Sequence, residues 1–205
     1  MSSETKATIA REPKRSRGRQ RVAELLEAAT AVFAEKGFET ATMTEIAARA
    51  GAPIGSLYQF FPTKDVLADT LIDRYVALLE SDLDALEGRA SSMDAQTLID
   101  HLLGLLRSHP HERAATLQLA EMRMDERTRR SKFRNMLRKR IAGILRARSP
   151  KLTSDRARDM AVVVLQIMKA VCSLADEDAL PGRAAALRDL RDLAVTYLDP
   201  KRIKM

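Results

Sequence analysis

The 205-residue chain has no tryptophan, only eight glycines and seven prolines, and 4% aromatic residues. Strands draw on aromatic and β-branched side chains and are punctuated by glycine- and proline-rich turns, so this scarcity argues against an all-β architecture. A single cysteine, Cys172, excludes an internal disulfide, and no apolar leader opens the chain; both point to a cytoplasmic protein. Long uncharged runs are also lacking. The most apolar stretch, 160–175, is interrupted by Gln166, Lys169 and Ser173, so no membrane span is expected. The chain has no G-x-S-x-G, no H-E-x-x-H and no phosphate-cradling glycine loop, which weakens an enzymatic reading and leaves no catalytic residue or cofactor to expect. His109 and His111 do not have the i, i+4 spacing that sets two metal ligands on one helical face, and no cysteine lies near, so no metal site is expected.

Abundant Ala, Leu, Arg, Glu and Asp, with 45% hydrophobic content, favours an all-α fold with a real core. The net charge is +7, and residues 1–21 carry seven basic against two acidic side chains. Residues 1–18 read as a disordered basic arm, either a solubilising tail or a contact for a nucleic-acid backbone or minor groove. From Gln20, Val22, Leu25, Leu26, Ala29, Val32 and Phe33 recur at helical spacing, and Gly37 ends that first helix.

Residues 42–67 organise the rest. Thr42 and Glu45 have capping-box spacing, Gly51 supplies a stop, and Pro53 opens a second short helix to Phe60. Two short helices around a glycine turn form a helix-turn-helix, whose second helix enters the DNA major groove. Thr63 can cap the next helix, which runs from Lys64 to about Leu86.

The spacing of Lys36-Gly37-Phe38, Thr42, Ile46-Ala47, Ala50-Gly51, Gly55, Leu57-Tyr58, Phe60-Phe61, Lys64 and Leu67 resembles the tetracycline repressor (TetR) family of transcriptional regulators. Ala52, Pro53 and Ile54 depart from the residues common there. The resemblance implies a DNA-binding domain over 19–71 and a helical effector-binding and dimerisation domain over 72–205. It also implies a homodimeric repressor, released from its operator by a small molecule. Thr42, Tyr58 and Lys64 are then expected on phosphates, with Pro53, Ile54, Gly55, Ser56 and Gln59 facing the groove. An architectural DNA-binding protein without effector is the alternative.

Beyond this segment the sequence predicts helices over 98–109, 114–124, 126–146 and 154–175, and a final one closed by Asp199-Pro200. The 160–175 stretch is apolar on nearly every side, which predicts that it is covered both by its own subunit and by a second one. Val164, Met168, Val171, Leu187, Leu190, Ala194 and Tyr197 are the expected dimer residues. Leu102, Leu105, Met122, Phe133 and Met168 are the expected walls of an effector pocket, with His101 as its polar group. Residues 123–148 carry eleven Lys or Arg against Asp125 and Glu126, read either as a solvated face or as a site for an acidic ligand.

Overall fold

The computed structural model describes residues 16–105, 107–121, 126–175 and 177–199. It is all-helical among them: α1 (Ser16–Thr40), α2 (Met43–Arg49), α3 (Ile54–Phe60), α4 (Lys64–Glu87), α5 (Ala95–Gly104), α6 (Pro110–Glu121), α7 (Glu126–Arg148), α8 (Ser154–Ala175) and α9 (Arg183–Tyr197), with one 3₁₀ turn at Ala90–Ser92. No helix among the described residues is long and apolar enough to cross a membrane.

Two boundaries differ from the sequence-based expectation. α1 begins at Ser16, so Ser16–Gly18 are helical and not part of a disordered arm. Arginine is a good helix former, and the Arg21–Glu24 ion pair (2.9 Å) with the Gln20–Glu24 hydrogen bond (3.2 Å) supports this end despite Gly18. α6 begins at Pro110 and not at Ala114, because a proline is tolerated at the first helical position, where its missing N–H has no helical partner anyway.

The chain divides into two compact units. Among the described residues the first comprises 16–77, 109–121 and Glu126, and its core gathers Leu25, Phe33, Ile46, Leu57, Phe61 and Leu67 with Ala115 and Leu119 of α6. α6 is part of this unit because Ala115 and Leu119, one turn apart, bury their side chains in the same apolar cluster as α1. α1 is interrupted at Gly37, whose φ of 74° is left-handed, and Phe38 folds back so that its ring lies 5.7 Å from that of Phe33.

The second unit comprises the end of α4, α5 and α7–α9. Its core includes Leu86, Leu98, Leu102, Ile144, Met160 and Val164. Arginines brace it. The Arg148 guanidinium donates to the carbonyls of Met93 and Leu198 (3.2 Å each), Arg140 pairs with Asp84 at 2.5 Å, and Arg191 makes a two-pronged bridge to Asp100 at 2.6 and 2.7 Å. At Gly143 a Cβ would stand 2.8 Å from a Glu87 carboxylate oxygen, so glycine lets that carboxylate lie against α7.

Leu102 is fully buried in this core, so Leu102→Ala should lower unfolding free energy by about 2–5 kcal/mol. Urea denaturation followed by circular dichroism measures this; a loss well below that range means the site collapses around the smaller side chain.

Candidate nucleic-acid interface

The helix-turn-helix follows from local chemistry. The Thr42 hydroxyl accepts from the Glu45 amide at 3.2 Å, and the Glu45 carboxylate accepts from the Thr42 amide at 3.0 Å, a complete capping box. Gly51, in the turn, has φ +58°, and nothing lies within 4 Å of where a Cβ would stand, so conformation and not space requires glycine there. Ion pairs at 2.6 Å, Lys36–Glu45 and Arg49–Glu35, tie α2 to the end of α1.

α3 is two-faced. Leu57 and the adjacent Phe61 are fully buried, whereas Pro53, Ile54, Gly55, Tyr58 and Gln59 are exposed; Ser56 and Phe60 are half-buried. Ile54 and Tyr58 are 40% and 49% exposed, high for apolar bodies of that size. Gly55 has nothing within 4 Å in the direction a Cβ would take and no left-handed φ, so nothing among the described residues calls for a glycine.

Two of the three expected phosphate contacts have internal partners. The Lys64 ammonium donates to the carbonyls of Phe38 (2.7 Å), Ala41 (3.0 Å) and Glu39 (3.2 Å), and lies 4.5 Å from the centre of the Phe38 ring. An ammonium has three protons, and all three are used. The Thr42 hydroxyl also donates to the Glu45 carboxylate at 3.0 Å. The Tyr58 hydroxyl has no such partner among the described residues and belongs to an exposed side chain.

The hydrogen bond from Lys36, then those from the Thr42 amide and hydroxyl, hold the Glu45 carboxyl down at about 2, against an ordinary 4.5. A depressed carboxyl stabilises the fold above its unfolded value, and this contribution is lost as pH falls through the folded one. Urea midpoints at about pH 6 and about pH 3 should therefore diverge more for the wild type than for Glu45→Gln. Equal divergence would show that Glu45 is not the group responsible. Lys64→Met should cost about 2 kcal/mol at neutral pH, since charged hydrogen bonds to otherwise unsatisfied carbonyls are lost. A variant as stable as the wild type would contradict the three-carbonyl arrangement.

The other expected site residues scatter. Leu102 and Met168 are core residues, Leu105 and Phe133 are half-buried, and Met122 lies outside the described residues. His101 is exposed, with Nδ1 2.8 Å from the Thr97 carbonyl. Among the described residues, one open groove is lined by Arg156, Leu193, Thr196 and Tyr197 and another by residues of α1, α2 and Ala50; none of the expected pocket walls lines either. Of the expected dimer residues, Val164, Met168 and Ala194 are at most 5% exposed within a single chain, so they belong to the subunit's own core. The reason is helical phase: Ala157, Met160, Ala161, Val164, Leu165 and Met168 form the inward stripe of α8, which leaves Val162 and Val163 outward. Val171, Leu187, Leu190 and Tyr197 are half-buried, and Leu193, which the spacing does not single out, is 57% exposed.

Comparison with known proteins gives this geometry a lineage. Residues 25–71 match the family described as bacterial regulatory proteins, tetR family, and residues 92–198, over half of the chain, match the tetracyclin repressor-like C-terminal domain. The HTH-type transcriptional repressor KstR2 of Mycobacterium tuberculosis is 47% identical over 49 residues, 24% of each chain. The uncharacterized HTH-type transcriptional regulator YvdT of Bacillus subtilis is 32% identical over 92 residues, 44% of this chain and 45% of its own. The chain thus spans less than half the length of these curated relatives. Among solved structures, a transcriptional regulator from Aquifex aeolicus superposes with a TM-score of 0.67 at 17% identity, covering 87% of this chain and 97% of that one. FadR from Bacillus subtilis, in complex with stearoyl-CoA, gives 0.62 at 18% identity over 85% and 98%. These two share the fold. With the helix-turn-helix and the C-terminal region both matched, the chain belongs to the tetracycline repressor (TetR) family of bacterial regulatory proteins.

Proposed function

We propose that the chain is a sequence-specific DNA-binding transcriptional regulator, a repressor that leaves an inverted-repeat operator when a small molecule binds. The observation that carries this reading is the two-faced α3. Its inner residues Leu57 and Phe61 anchor it, and its outer residues Pro53, Ile54, Gly55, Tyr58 and Gln59 present a surface left exposed among the described residues. Gly55 is telling: a helical glycine costs roughly 0.5–1 kcal/mol relative to alanine, and no contact among the described residues offsets that cost. Close approach of a DNA backbone accounts for it. Gln59 is suited to an adenine edge, Ile54 to a thymine methyl, and the Tyr58 hydroxyl to a phosphate. Thr42 and Lys64 act as positioning residues that hold α2 and α4 around α3. Arg17 and Arg19, in the first turns of α1, add positive charge; the remainder of the expected basic arm, 1–15, lies outside the described residues. The name of KstR2, a repressor 47% identical over 49 residues, supports the reading.

Function divides between the two units, with DNA recognition in the first and pairing and effector binding in the second. Val162, Val163 and Leu193 are exposed apolar side chains on α8 and α9, supplemented by the half-buried Val171, Leu187, Leu190 and Tyr197, and form a patch suited to a second copy of the chain. The effector is held in the second unit, near Leu105 and Phe133, and its binding is transmitted along α4, the helix both units share. The complex of FadR with stearoyl-CoA supports a ligand-holding helical body. The protein works in the cytoplasm, without membrane, metal or catalytic turnover.

Gly55→Ala should leave stability unchanged or raise it by up to about 1 kcal/mol while weakening operator binding; undiminished affinity in an anisotropy titration would remove the close-approach argument. Tyr58→Phe should weaken binding to all DNA sequences alike. Gln59→Ala should relax preference at one base position by about 1–3 kcal/mol. Equal affinity for operator and random DNA would favour an architectural protein instead. Val163→Glu should give folded monomers in sedimentation, whereas Val164→Glu should fail to fold; a dimeric Val163→Glu protein would move the interface elsewhere.

A further inference from the structure

Several arginines of the second unit have acceptors among the described residues. Arg140 pairs with Asp84, Arg148 with two carbonyls, Arg158 with Asp155, Arg183 with Asp178 and Arg191 with Asp100. Arg134 and Arg138, like Arg107, Arg146, Arg156 and Arg188, have no ion pair among the described residues. The first two lie one turn apart on α7, a spacing at which like charges repel, and neither has a carboxylate partner among the described residues. The Nε of Arg138 is shielded from solvent and has no hydrogen-bond partner there; the same guanidinium reaches only the neutral Asn135 side chain, at 3.2 Å. A buried unpaired donor is costly, and one on a cation more so.

A third cation comes from α8. Lys169 is largely exposed, yet partial burial of its ammonium, followed by repulsion from Arg134 and Arg138, lowers its pKa. Among the described residues no acidic group offsets that repulsion. Beside this charged ridge runs an apolar one: Phe133 and Leu137 precede the two arginines by one position on α7, and Met168 precedes Lys169 on α8. Leu137 and Met168 are joined to the core of the unit, and Phe133 is half-buried.

We infer that Arg134, Arg138 and Lys169 form a receiving site for the anionic head group, a carboxylate or a phosphate, of an amphipathic small molecule whose apolar part lies along the Phe133–Leu137 ridge. Guanidinium groups match the paired oxygens of either head group, and the bound anion would satisfy the Arg138 donor and relieve the mutual repulsion of three cations. The inference rests on the reading of this unit as ligand-binding and specifies the chemistry of the ligand. It also gives part of the arginine-rich segment a role that a merely solvated face does not explain.

Calorimetry on the full chain with dodecanoate, dodecyl phosphate and dodecanol tests it. Either or both anions should bind, the tighter of the two naming the head group, with the alcohol weaker by roughly 10- to 100-fold, the range expected when a charge-assisted contact is lost. Arg138→Met should abolish the preference for the anion. Lys169→Gln, at an exposed position where folding is not at stake, should reduce it, and the Lys169 ammonium should titrate at higher pH in the wild type when the anion is bound. Absence of binding by both anions, equal affinity for anion and alcohol, or a preference kept by both variants would overturn the site. So would conversion of a dimer to monomers by Arg138→Met with anion binding intact, which would make the cluster a seat for carboxylates of a second copy. Operator affinity with and without the anion is measured separately: anion binding that depends on Arg138 but leaves operator affinity unchanged supports the site and removes only the regulatory reading.

Discussion

The Lys64 ammonium is the point on which the first unit depends. Where α1 breaks at Gly37, the chain turns and leaves the carbonyls of Phe38, Glu39 and Ala41 without helical donors. Lys64, at the start of α4, supplies three protons at once, and the ring of Phe38 lies beneath the same charge. Next in the chain comes the Thr42–Glu45 box, itself tied to α1 through Lys36. The end of α1, the start of α2 and the start of α4 therefore meet within a few ångströms, and α3 is held between them by Leu57 and Phe61. The outward face of α3 is therefore set by residues that lie outside α3.

This explains which features were readable in the sequence. Caps, the glycine stop and the inward face of α3 depend on neighbours in the chain, and Thr42, Gly51, Leu57 and Thr63 behave as their spacing predicts. Lys64 does not, because its acceptors are carbonyls more than twenty residues upstream, and backbone carbonyls carry no side-chain signal. α8 illustrates another limit. Its apolar residues nearly encircle the helix, so periodicity cannot choose between the stripe of Val164 and Met168 and that of Val162 and Val163; packing into the core shared with α5, α7 and α9 fixes the phase. The place of α6 is hidden for a similar reason, since the partners of Ala115 and Leu119 lie in helices far earlier in the chain.

The arginines of the second unit show how one residue type serves opposite ends. Arg148 and Arg191 join segments far apart in sequence through fixed, multi-pronged contacts, as hydrophobic side chains do in a larger core. Arg134 and Arg138 carry the same chemistry without an acceptor among the described carboxylates, and the Arg138 Nε is shielded from solvent with no hydrogen-bond partner there. Composition alone cannot make the distinction, because both kinds sit in one run of α7.

The participation of α6 in the first unit bears on how the protein is made. A reader confined to residues before Ala77 could fold while the rest was still being synthesised. Here Ala115 and Leu119 complete the apolar cluster around α1, so the last piece of that unit emerges only after α5 and the turn at Ala90–Ser92. Until then Leu25, Phe33 and their neighbours lack part of their cover, and closing the long intervening loop costs entropy that grows only slowly with its length. The nascent chain thus completes the apolar cluster of its first unit only when part of the second unit has already been synthesised.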